Sequence, residues 1–280
     1  MAEYVQSSYS FAPAAGLPGQ VARAKPGQFI ASLIAAVALA PGLVAFTGRA
    51  SGADADKATT LTATAASATA LIASGGASSG SIQTILAADM NGALGAGAEL
   101  FPPRNVTLTL SSHADWDATT ATVTGTDENG AAVTESLSIP NGGNATVTGT
   151  QMFRTITSLA IPAQSGTGGT FTFGVGSVLG SVDHLVAGLV ARDITRSAVN
   201  FAAGEMTPVA RVGEFFVTSE TAVKDGDPVY VRVRVASSET IGAVRATPSA
   251  GYTVRLKNAR FVGTNAAGLS RIDINLPAGG

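Results

Sequence analysis

From Asn105 onward the chain reads in period two. In "NVTLTLSS", Val106, Leu108 and Leu110 alternate with Thr and Ser. Successive strand side chains point to opposite faces, so this pattern fits a half-buried strand and not the 3.6-residue period of a helix. The pattern recurs in "ATTATVTGTDENGAAVTESLSIP", on both sides of Asn129-Gly130. That dipeptide readily takes the positive φ angles a tight hairpin turn needs. "NGGNATVTGT", "FRTITSLAIP" and "GTFTFGVG" follow at intervals of about ten residues, the spacing of an antiparallel sandwich.

Composition points the same way. Only 13% of residues are charged, and Thr and Val are abundant, which suits strands better than long helices. Hydrophobic residues reach 45% with a net charge of −2, so the chain has a core to bury and does not carry a disorder signature. There is no Cys, which excludes disulfides, thiolate metal sites and a Cys nucleophile.

The charge is unevenly placed. Residues 51–180 carry nine acids against three bases (Lys57, Arg104, Arg154), while residues 190–280 carry eleven bases against eight acids. This asymmetry suggests two modules with different surroundings. Neither is basic enough, nor are aromatics suitably interleaved, for a nucleic-acid platform.

Residues 1–27 are rich in Pro, Gly, Ser and Ala and read as an extended arm. Between Pro26 and Gly48 there is no charge. Pro41-Gly42 interrupts this stretch, so the expectation is a buried helix of about a dozen residues and then a short strand, "GLVAF". A membrane or signal segment is the alternative, with Ala38-Leu39-Ala40 imitating a cleavage site. "SIQTILAADM" reads as a short helix capped by Ser81. The C-terminal part reads as β: "LVAGLVARDIT" is a continuous apolar run, and "GEFFVTS", "DGDPVYVRVRV", "GYTVRLKNARFVGT" and "SRIDINLP" are strands. Val229, Val231, Val233 and Val235 share one strand face, and Tyr230, Arg232 and Arg234 the other.

Three constellations carry possible chemistry. His113, Asp115 and Asp117 alternate in the loop "SSHADWDATT" and can face one divalent ion. A turn closed by Asp side chains, with Trp116 folded over a sandwich end, explains the same residues. Gly76-Ala77-Ser78-Ser79-Gly80 matches a nucleophile elbow, with Asp115 or Asp117 and then His184 in hydrolase order. That elbow, however, needs a parallel sheet with intervening helices. His184 beside Asp183 reads more simply as a junction residue. Asn105 and Asn144 begin glycosylation sequons. Tyr230, Arg232 and Arg234 form the best candidate for docking on an acidic partner, against the plainer reading of a solvated strand face.

"GLPGQVARAKPGQFIASLIAAVALAPGLVAFTG", "LVAGLVARDIT" and "VKDGDPVYVRV" resemble segments of the structural-cement, or head decoration, proteins of tailed bacteriophages. The resemblance covers roughly residues 15–50 and 184–280. It implies a non-enzymatic protein without cofactor or metal that binds the outside of an assembled head. It also implies contacts across neighbouring major capsid protein subunits and self-association, most simply as a trimer. The expected organisation is an arm (1–27), a discontinuous capsid-binding domain (28–57 and 181–280), and an inserted Ig-like or jelly-roll sandwich (58–180). A tail or fibre component or a surface adhesin, and more remotely a serine hydrolase using Ser78, are the alternatives.

Overall fold

The structure is a computed structural model that describes residues 16–23, 29–47, 57–94, 99–111, 114–142, 144–193, 195 and 200–276. It is mainly β, as expected, with two sheets. One holds ten strands: β1 (Val21–Arg23), β2 (Phe29–Ala35), β3 (Val44–Thr47), β4 (Lys57–Thr59), β13 (Val186–Val190), β14 (Met206–Ser219), β15 (Pro228–Arg232), β16 (Val244–Arg245), β17 (Thr253–Val262) and β18 (Gly268–Asn275). The other holds β5 (Ser67–Gly76), β6 (Gln83–Leu86), β7 (Glu99–Ser111), β8 (Thr119–Thr126), β9 (Ala132–Ile139), β10 (Ala145–Thr148), β11 (Phe153–Ile161) and β12 (Thr170–Leu179). The first sheet uses both ends of the chain and the second its middle.

The ten-stranded sheet closes on itself twice. β14 is paired in its first half with β2 and β13, and the ladder β13-β3-β4-β2 completes a ring. In its second half β14 pairs with β18, and at Ser219 with β16. The ladder β16-β15-β17-β18 completes a second ring. Two small barrels therefore share one long strand, and closure removes the exposed edges an open sheet would present.

A five-stranded ring has a narrow interior, which explains why Ala35, Ala45, Ala58 and Ala187 fill the first barrel with Leu39, Val190, Phe201 and Val209. Val44, Phe46, Val186 and Leu189 point the other way, into the larger core with Phe215, Val231, Phe261 and Ile272. β3 and β13 thus bury both faces. That is why "LVAGLVA" is apolar without alternation. Gly188 (φ 145°) is required there, since a Cβ would stand 2.4 Å from the Ala210 carbonyl oxygen.

β2 corrects the expected N-terminal helix. It pairs with β14 from Met206↔Ile34 to Val212↔Phe29. Its alternation is real but hidden, because only Ser32 among its seven residues is polar. Ile30 and Ile34 are outward, and with Val37 and Met206 they remain exposed. Tertiary pairing overrides the local helical reading. Likewise, "SIQTILAADM" forms strand β6 and a short 3-10 turn at Ala87–Asp89, not an α-helix. No helix among the described residues is long and apolar enough to cross a membrane.

In the eight-stranded sheet, the Asn129-Gly130 hairpin joins β8 to β9 in unbroken register from Thr126↔Ala132 to Thr119↔Ile139. Gly130 takes φ 83°, and Asp127 Oδ1 accepts from the Asn129 and Ala131 amides. The core holds Val106, Leu108, Trp116, Val123, Phe153, Phe171 and Phe173.

The sheets touch at a junction. Phe101 and Leu179 pack against the core of the ten-stranded sheet. β4 and the following Leu61 and Ala63 also belong to that sheet and its core, so the middle module begins near Ala66. Of the expected arm, Val21–Arg23 pairs with β14, while residues 1–15 and 24–28 lie outside the described residues.

Candidate functional site

The three residues proposed from sequence part company. Arg232 is 3% exposed. Its Nε and Nη2 donate to Glu220, at 2.5 and 2.7 Å, and Nη1 donates to the Arg234 carbonyl at 3.1 Å. The Glu220 hydrogen bond raises its pKa above the ordinary arginine value, against desolvation. Arg232 therefore sits inside the wall and holds it together. Its expected partner-facing position is corrected by Glu220, which lies twelve residues upstream and folds over it. Arg234 stacks on Tyr252 (4.8 Å) and is partly exposed. Tyr230 is partly exposed, and its cross-strand partners are Arg245 and Arg255. Val229, Val231 and Val233 share the buried face as expected, whereas Val235 lies beyond the strand and is 42% exposed.

Sequence reasoning passed over the neighbouring strand. In β17, Val254 and Leu256 face inward while Arg255 and Lys257 face out. The signal was present as alternation in "TVRLK", the same signal that singled out Tyr230 and Arg232.

Arg104 is the second buried arginine, 2% exposed, on β7 at the junction of the sheets. It donates to the Thr64 carbonyl (3.0 Å), Thr64 Oγ1 (3.4 Å) and the Ala65 carbonyl (3.3 Å). Desolvation, followed by the nearby Arg234 charge, lowers its pKa to about 10. The residue pins the connecting segment onto the middle module. Asn105 is buried, donating to the Gly149 carbonyl and accepting from the Val178 amide, so this sequon is committed to the core.

Of the loop "SSHADWDATT", residues 114–120 form a packed turn. Trp116 is fully buried, edge-on to Phe171 with centroids 6.4 Å apart. Buried Gln164 accepts from the Asp117 amide (2.8 Å) and donates to the Pro162 carbonyl (2.8 Å). Asp115 Oδ2 accepts from the Gly168 amide, and its carbonyl accepts from Ser165. His113 and the His184 side chain lie outside the described residues. Among the described residues no three His, Asp or Glu gather as metal ligands. Ser78 Oγ lies 3.5 Å from Ser81 Oγ on the exit of β5. That strand is antiparallel to β12 and is followed by β6, so the strand–turn–helix of an elbow does not form.

A family model described as "Structural cement protein (E217 gp24/Pam3 gp6)" matches residues 111–275, more than half of the chain. This protein belongs to that phage structural cement family. It is accordingly a structural, capsid-stabilising protein of a phage particle. The match to the cement family takes in β8–β12 as well as β13–β18, so it is not confined to the ten-stranded sheet. It includes the C-terminal segments that carried the sequence resemblance, while residues 15–50 fall outside it. No curated protein matches the chain.

Proposed function

We propose that the protein binds the outer surface of an assembled head and ties neighbouring major capsid protein subunits together. The ten-stranded, double-barrel module grips the shell, and the eight-stranded module, with its excess of acids, projects away from it. The observation that carries this reading is the charge division between the two sheets, within a chain that belongs to a capsid-stabilising family. Contacts that exist only on the assembled lattice favour assembly by mass action, and repetition lets weak contacts add.

Tyr230 and Arg234 are contact residues in this reading, while Arg232 maintains the strand that presents them. The protein acts as a homo-oligomer, most simply a trimer. Cosedimentation of purified protein with empty capsids tests the central claim, and failure to bind at any concentration rejects it. Light scattering on free protein, and on protein released from capsids, tests self-association. A monomer in both states rejects the trimer.

A further inference from the structure

The outer face of the second barrel carries a cationic groove. We infer that this groove, centred on Arg255, Lys257 and Arg260, takes an extended acidic segment of the capsid surface. The inference deepens the proposed function and rests on it.

Two adjoining clefts, of about 470 and 330 Å³, share Arg255 and Lys257. The larger is also lined by Asn258, Arg260, Asp273 and Asn275. The smaller runs to Leu179–Ser181, where the two sheets join. The combined groove is thus elongated, the shape that suits an extended segment.

Arg255, Lys257 and Arg260 line it with one carboxylate, Asp273, and Glu128 and Asp183 approach Lys257 from beside it, so the cation left without an acid among the described residues is Arg255. Arg260 reaches Asp273 at 3.3 Å yet is 64% exposed. Lys257 reaches Glu128 and Asp183 at 3.7 and 3.6 Å and is 59% exposed. Arg255 is exposed and has no ion-pair or hydrogen-bond partner among the described residues. Its cross-strand neighbour Tyr230 supplies an aromatic flank. A guanidinium without an acid, flanked by two exposed cations and two amides, is equipped to bind carboxylates in pairs.

The backbone places these groups on purpose-built geometry. Pro228 pairs with Arg260, but the next residue, Val229, pairs with Leu256. Lys257, Asn258 and Ala259 are therefore extra on β17 and bulge outward. Bulges of this kind re-aim side chains. Asp183 fixes the bulge, since Oδ1 accepts from the Lys257 amide at 3.2 Å. Gly226, at the rim, has open space where a Cβ would stand.

The test uses the full chain, with empty capsids, a fluorescent deca-glutamate peptide and a DNA 10-mer as probes. Arg255→Glu alone and Arg255→Glu with Arg260→Glu lie on the surface, and both are expected to keep the wild-type circular dichroism. Deca-glutamate is expected to bind the wild type and to weaken with salt. The single and double reversals are expected to weaken peptide and capsid binding by at least about tenfold. Capsid binding by wild type that both folded reversals leave unchanged overturns the inference and leaves the proposed function standing. No capsid binding by wild type overturns the proposed function, and the peptide result then decides whether the groove takes acidic segments. Tighter binding of DNA than of peptide overturns the choice of an acidic protein segment.

Discussion

Arg232 and Glu220 make a two-pronged ion pair inside the wall of the second barrel, with hydrogen bonds of 2.5 and 2.7 Å. Glu220 is 18% exposed, and its next cation, Arg245, is 3.7 Å away. Removing the guanidinium strands a largely buried carboxylate. Arg232→Met is therefore expected to cost about 3 kcal/mol of stability. Urea denaturation measures this, and a loss below about 1 kcal/mol would contradict the assignment.

Arg104 offers the opposite case. Among the described residues it has no carboxylate partner, and its acceptors lie on Thr64 and Ala65, which are exposed and can rehydrate. Arg104→Met is expected to cost about 1 kcal/mol or less. The two buried arginines should thus rank Arg232 well above Arg104 in the same assay. The reverse order would mean that junction hydrogen bonds outweigh the ion pair.

Trp116 is the only Trp and lies in the core of the eight-stranded sheet. Its fluorescence therefore reports on that module alone. Trp116→Ala is expected to cost about 4 kcal/mol through cavity formation. Gly169→Ala should also destabilise, because the new Cβ would stand 2.6 Å from the indole. Trp fluorescence followed through thermal melting should shift to lower temperature in Gly169→Ala. An unchanged melt would show that the ring has room to move.

Glu239 predicts an acid-sensitive loop. Amides of Ser237 and Ala236 donate to its carboxylate, which holds its pKa at about 2, well below the ordinary 4.5. The folded state thus favours the ionised form. This stabilisation is complete above about pH 4.5 and fades as pH falls towards 2. Amide exchange at Ala236 and Ser237 is expected to accelerate, relative to other loops, across that window. Glu239→Gln should abolish the pH dependence, and equal pH dependence in the variant would refute the mechanism.

Excising residues 66–180 behind a short Gly-Ser linker is expected to leave a folded ten-stranded module that still binds capsids. The cut retains Leu61 and Ala63 in their core but uncovers the surface under Phe101 and Leu179, so a lower melting temperature is expected. A remnant with an unfolded circular dichroism spectrum would show that the two sheets fold as one unit.

The alternation around Val106 and Leu108 and the Asn129-Gly130 turn were sufficient by themselves to determine a β protein and its hairpin. Each depends on side-chain periodicity or a local turn angle, and both are written residue by residue. Around Trp116 the turn was legible but its closing partners were not: Asp115 accepts from the Gly168 amide 53 residues on, and the Asp117 amide donates to Gln164 47 residues on.

Only the tertiary structure decided the rest. β2 is a strand because β14 lies beside it, and its near-uniform apolar sequence could not reveal the outward face. The closure of two barrels on β14 depends on pairings between distant segments, which no local pattern encodes. Arg232 and Arg255 look alike in sequence, each an arginine between inward-facing residues. One is buried because Glu220 meets it, and the other is exposed because no carboxylate among the described residues does. Exposure of a charged side chain is set by what the fold brings against it, and that is a property of three dimensions.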